Sequence, residues 1–118
     1  MAEQPLNGGV VILESKDKAT GWFAWVDLMP PGPPTLHVIG DVQVPNPGVN
    51  VFLTEKVPQG INHRILLLNL HLVQSPGIWP QHVVVKQVRF EKVKAIYDEV
   101  DVFSETTLVA QIPVQVAS

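Results

Sequence analysis

In the stretch Leu36-His37-Val38-Ile39-Gly40-Asp41-Val42-Gln43-Val44-Pro45-Asn46-Pro47-Gly48, side-chain character changes with period two. Leu36, Val38, Val42 and Val44 fall on one side of an extended segment, with His37, Ile39, Asp41 and Gln43 on the other. That alternation predicts a half-buried strand. Pro45-Asn46-Pro47-Gly48 then predicts a chain reversal, because proline fixes φ and glycine permits conformations other residues avoid. The following run, Val49 to Glu55, is expected to pair back on the first as a β-hairpin.

The same reading extends outward in both directions. Leu66, Leu68, Leu70 and Leu72 alternate with Leu67, Asn69, His71 and Val73, which predicts a central strand lying over the core. Gly21 to Leu28, with Trp22, Phe23, Trp25 and Val26, and Val83 to Glu91 are rich in the aromatic and branched types that pack well on a pleated surface. Leu108, Ala110, Ile112, Val114 and Val116 hold period two to the C-terminus. Pro113 has no N–H for a ladder, so this strand is expected at a sheet edge there. A short first strand around Val10 to Leu13 brings the expected total to seven or eight.

Glu91 to Val100 admits two readings. Phe90, Val93, Ile96, Tyr97 and Val100 recur at helical spacing, with Lys94 and Asp98 as an i, i+4 ion pair. Ile96, Asp98, Val100 and Val102 also alternate, and Ser104-Glu105-Thr106 suits a turn into the final strand. Strand is preferred because no capping residue opens a helix. Met29-Pro30-Pro31-Gly32-Pro33-Pro34 reads as a stiff connection between strands, too short to divide domains. The expected fold is therefore all-β: a two-sheet antiparallel β-sandwich, immunoglobulin-like in outline, over residues 10–118, with residues 1–9 as a mobile tail.

The chain has 118 residues, no cysteine and a net charge of −3. That length buries a sufficient core without disulfide or metal, and the absence of thiols removes cysteine nucleophiles and thiolate metal sites. No apolar run approaches the ~20 residues of a membrane helix, so a soluble chain without membrane contact, assigned to the cytoplasm, is expected. Lys and Arg form no basic stripe, so no nucleic-acid partner is expected.

Enzymatic chemistry finds little support. There is no G-x-S-x-G elbow, and Ser15, Ser75, Ser104 and Ser118 fall in predicted turns or at the terminus. Asp98, Glu99 and Asp101 read as a solvated acidic rim, because a catalytic carboxylate pair needs burial. A divalent metal held by His37, Asp41 and His71 is the enzymatic alternative, requiring that the two strands lie side by side so their mixed faces meet. No cofactor is expected.

The binding candidates are tryptophans. Trp22 and Trp25 are three apart on one strand and so point to opposite faces; the core takes one, and the other is left for contact. Trp79, in Ser75-Pro76-Gly77-Ile78-Trp79-Pro80, is expected in a loop, either covering the end of the core or anchoring a partner. Ala19-Thr20-Gly21-Trp22 and Gly77-Ile78-Trp79 resemble loops of the chagasin-like cysteine peptidase inhibitors, which are similar in length and immunoglobulin-like in fold. That resemblance implies peptidase inhibition through loops. The chain departs from it in Gln59-Gly60-Ile61-Asn62, a reduced version of the glycine-rich middle loop, and in having no Arg before the tryptophan. The preferred expectation is a non-catalytic β-sandwich binding or interaction module whose ligand is a protein or small molecule. Homodimerisation is expected through the edge of the final strand or the adjoining face, because few charges blunt that edge.

Overall fold

The computed structural model describes residues 3–117, and Met1, Ala2 and Ser118 of the sequence lie outside the described residues. The described chain is all-β, with ten strands: β1 (Glu3–Leu6), β2 (Gly9–Val10), β3 (Ala19–Asp27), β4 (Thr35–Val44), β5 (Val49–Glu55), β6 (Ile65–Gln74), β7 (Gly77–Pro80), β8 (Val84–Val93), β9 (Glu99–Ser104) and β10 (Thr107–Ala117). A single 3-10 turn, Lys16–Lys18, precedes β3 and is capped by the Ser15 hydroxyl, which accepts from the Asp17 N–H. Glu3–Leu6, part of the segment expected as a tail, pairs antiparallel with β7 as a two-stranded ribbon, and the first strand expected over Val10 to Leu13 is confined to Gly9–Val10.

Seven strands pair in the continuous path β5-β6-β9-β10-β3-β4-β8. The path curls until its ends meet. Across the seam Lys86 Nζ of β8 donates to Pro47 O at 2.7 Å, and Lys92 Nζ donates to Glu55 Oε1 of β5 at 2.6 Å. Two of the pairings, β6 with β9 and β10 with β3, are parallel. This corrects the expectation of a purely antiparallel fold. Period-two patterning is the same for a strand running either way, so strand direction cannot be read from it.

The expected hairpin is also corrected. β4 and β5 belong to opposite ends of the path, β4 pairing with β3 and β8, and β5 with β6. Pro45–Gly48 arches from one layer to the other because its polar groups are satisfied internally. Asn46 is buried, its Nδ2 donates to Gln74 Oε1 at 2.8 Å, and its Oδ1 accepts from Gly48 N–H at 2.9 Å. Gly48 is required here: a Cβ on it would lie 2.3 Å from the Trp79 ring.

Between the layers lies one core. Leu66, Leu68, Leu70 and Leu72 of β6 face Leu36, Val38, Val42 and Val44 of β4, with Val88, Val100, Val102 and Ile112 completing the cluster. β6 is central as expected, bonded to β5 on one edge and to β9 and β2 on the other. β10 joins the two layers. Its first part, Thr107–Pro113, pairs with β9, and its last part, Val114–Ala117, pairs with β3. Val114 N–H still donates to Asp98 O on the β9 side. By alternation the Pro113 nitrogen points away from β9, where a missing N–H costs no ladder bond.

Glu91 to Val100 is neither one strand nor a helix. β8 continues to Val93, Lys94 breaks it with φ 56°, and β9 starts at Glu99. The expected Lys94–Asp98 pair is replaced by a two-point contact between Arg64 and Asp98, with Arg64 Nη2 3.0 Å from Oδ1. Glu105, in the β9–β10 turn expected at Ser104-Glu105-Thr106, also has φ 56°. Left-handed backbone costs a residue with a Cβ roughly 1 kcal/mol, so Glu105→Gly is expected to stabilise the fold by up to about 1 kcal/mol in urea titration. A loss of stability would show that the turn is held by the Glu105 side chain instead.

Candidate functional site

β3 separates its aromatic residues by face. Trp22 turns inward and lies against Gly40, where a Cβ would approach its ring to 2.4 Å, and its Nε1 donates to Ala19 O at 3.1 Å. One extra residue in β3 between Thr20 and Phe23, with Gly21 at φ 65°, allows this inward turn without shifting the strand beyond it. Phe23 and Trp25 point outward.

The outer face of β10-β3-β4-β8 therefore carries a connected aromatic and aliphatic patch. Phe23 is opposite Ile39 and Trp25 is opposite His37 across the β3–β4 pair. The Trp25 and His37 rings stack, with centroids 5.0 Å apart and planes 17° from parallel, and Phe23 tilts against Trp25 at 5.6 Å. Phe23, Trp25, Ile39, Gln115, Val116 and Ala117 line an open groove of about 560 Å³. Phe23 keeps 48 % and Val116 66 % of their surface exposed. Around the groove lie Asp41 and the β8 pair Arg89 and Glu91, whose Oε1 is 3.4 Å from His37 Nδ1.

The three proposed metal ligands do not converge. His37 and Asp41 share the outer face of β4, while His71 is on the outer face of β6, with the buried leucines and valines of both strands between them. The strands are not neighbours, which was the condition for the site. His71 is engaged on its own layer: its ring stacks on Phe52 at 4.8 Å and its Nε2 is 2.6 Å from Thr54 Oγ1. Among the described residues no three His, Asp or Glu side chains gather as a metal site.

Trp79 is in strand β7 and not in a loop. Its ring covers Gly48 and its Nε1 donates to Ser75 O at 2.9 Å, so it closes the end of the core above the Pro45–Gly48 arch. Of the segments resembling peptidase-inhibitor loops, Ala19–Trp22 lies within β3 and Gly77–Trp79 within β7. Gln59–Asn62 follows β5, whose seven residues carry the chain away from Gly48 to the other end of the fold. The three segments thus do not form one row of loop tips.

One carboxylate departs from the solvated rim expected for Asp98, Glu99 and Asp101. Asp101 is 9 % exposed, between Leu67 of β6 and Gln111 of β10 in register, and its Oδ1 is buried without a hydrogen-bond partner. Burial, reinforced by the hydrogen-bonding Glu99 carboxyl and its charge, pushes the Asp101 carboxyl up to about 6. No sequence signal marked it, because local alternation places Asp101 on the outward face of β9, and the strands that flank it there, β6 and β10, are distant or unspecified in the sequence. Asp98, by contrast, is held below the usual carboxylate range by the hydrogen bonds from Arg64. No helix among the described residues is long and apolar enough to cross a membrane. No protein-family model, no curated protein and no solved structure matches this chain.

Proposed function

We propose that the chain is a non-catalytic interaction module, a β-sandwich immunoglobulin-like in outline, that works through the outer face of its β10-β3-β4-β8 layer. The observation that carries this reading is the outward placement of exposed Phe23 beside half-buried Ile39 and the half-buried Trp25–His37 stack, on strands that are rigid because their opposite face is core. Aromatic side chains on a fixed scaffold offer a large apolar area with little ordering cost, which suits them as binding anchors. The enzymatic alternative has no comparable support, since His37, Asp41 and His71 occupy two separate faces.

If the patch serves contact and not folding, removing its exposed member changes stability little. Phe23→Ser is expected to alter the unfolding free energy by less than about 1 kcal/mol, in the range of surface substitutions. A loss above about 3 kcal/mol in urea titration would instead make Phe23 part of the core and sink the proposal.

A further inference from the structure

We infer that the partner of this face is a second copy of the chain, packed sheet against sheet about a two-fold axis; the inference rests on the interaction-module reading above. β3, β4 and β8 at about nine residues each, with the last part of β10, Val114–Ala117, at ~3.4 Å per residue and ~4.8 Å between strands, give a face of ~500 Å². Two copies then bury on the order of 1,000 Å², at the threshold for a specific interface.

The hydrogen-bonding groups on β3 and β4 select the register. A two-fold axis lying between the sheets and crossing β4 over Ile39 sets the two β4 strands antiparallel, so residues equally spaced from Ile39 meet. His37 and Asp41 are those residues. The stacked Trp25–His37 pair of one copy then faces Asp41 of the second copy, bringing ring N–H donors against a carboxylate. Asp41 leans over Gly21, its Oδ2 filling the space that a side chain there would take, so its carboxylate lies over β3 where the indole of the second copy arrives. Among the described residues, neither Trp25 Nε1 nor the Asp41 carboxylate takes part in a hydrogen bond within the chain. Ile39 meets Ile39 and Phe23 meets Phe23 at the centre, while on β8 Glu91 meets Gln87 and Arg89 meets its own copy at the rim, where solvent screens the like charges.

The edges suit self-pairing less well. β8, at one end of the strand path, turns Lys86 and Lys92 into the seam, and inward-pointing charges of this kind discourage strand addition. β10 is bonded to β9 along one part and to β3 along the other. The face therefore offers the more continuous surface.

Sedimentation velocity on the full chain from about 1 to 200 μM tests the inference. A concentration-dependent species near twice the 13.0 kDa monomer is expected. Trp25→Ser and Asp41→Lys should each weaken it at least tenfold, with circular dichroism unchanged, while Phe52→Ser, on the outer face of the other layer, should leave it intact. A monomer throughout would overturn the homodimer, and would leave the interaction reading standing if Phe23→Ser is neutral to stability. A dimer that survives both Trp25→Ser and Asp41→Lys would equally overturn it, placing the contact elsewhere.

Discussion

Leu68→Ala is expected to lower the unfolding free energy by about 2–5 kcal/mol, the largest single loss anticipated in this fold. Leu68 is 0 % exposed and sits where β6 has a bonded neighbour on each edge, Glu55 of β5 and Val102 of β9 in register. Truncation removes three heavy atoms from a closely packed region, and three strands would have to shift to fill the space. Such sites collapse poorly, so a cavity term adds to the lost transfer free energy. Leu70→Ala, 4 % exposed and opposite Leu53, should fall in the same range. Leu67→Ala is the control for register. Its side chain is half-buried on the outer face beside Gly60, so about 1 kcal/mol is expected. Equal losses at Leu67 and Leu68 would mean that β6 is placed with the wrong face inward.

The second large effect is expected at Asp101, where stability should depend on pH in a direction opposite to that of most carboxylates. The folded-state value of about 6 lies above the usual 3.8. Between about pH 4 and 6 the native chain holds a proton that the unfolded chain has released. Stability therefore falls as pH rises through that window and levels off above it. Two units would correspond to about 3 kcal/mol for a carboxyl fully shut off from water, and solvent screening around the Glu99–Asp101 pair lowers this. Asp101→Asn removes the ionisation while keeping the shape, so it should stabilise the protein by ~1–2 kcal/mol at pH 8 and by little at pH 4. Urea titrations of both proteins across pH 3.5–8 measure this directly. Parallel curves for the two proteins would show that the Asp101 carboxyl is not the group responsible.

What the sequence made legible follows from what alternation can encode. Leu66, Leu68, Leu70 and Leu72 announce a strand with one buried face, and that face is buried. The bounds of β5, Val49–Glu55, were likewise legible, because Pro45–Gly48 before it and Lys56-Val57-Pro58 after it punctuate the run. Alternation carries no information about which strand lies alongside. For that reason alternation reads β4 and β5 as a hairpin although they join opposite layers, and lets His37 meet His71 although the core separates them. The decisive groups were Gln74, which pairs with Asn46 of the arch, and Trp79, which covers Gly48, both from segments about thirty residues away.

The candidate site was half visible. Spacing alone required Trp22 and Trp25 to part, but not which one entered the core; the absence of a side chain at Gly40, on a neighbouring strand, admits Trp22. Phe23 and Ile39 joined Trp25 through the register of β3 on β4, which one extra residue between Thr20 and Phe23 determines. Asp101 was hidden for a related reason: it sits between Leu67 of β6 and Gln111 of β10, a flanking that its own neighbours in sequence do not reveal.

Hydroxyl-radical footprinting of the chain at low and high micromolar concentration tests most directly whether the outer face of β3 and β4 is the working surface. Phe23, Trp25 and Ile39 are expected to lose reactivity as concentration rises, while Phe52 on the other layer and Ile78 on β7, both exposed, keep theirs. Unchanged reactivity at Phe23 and Trp25 accompanied by protection of Phe52 or Ile78 would contradict it.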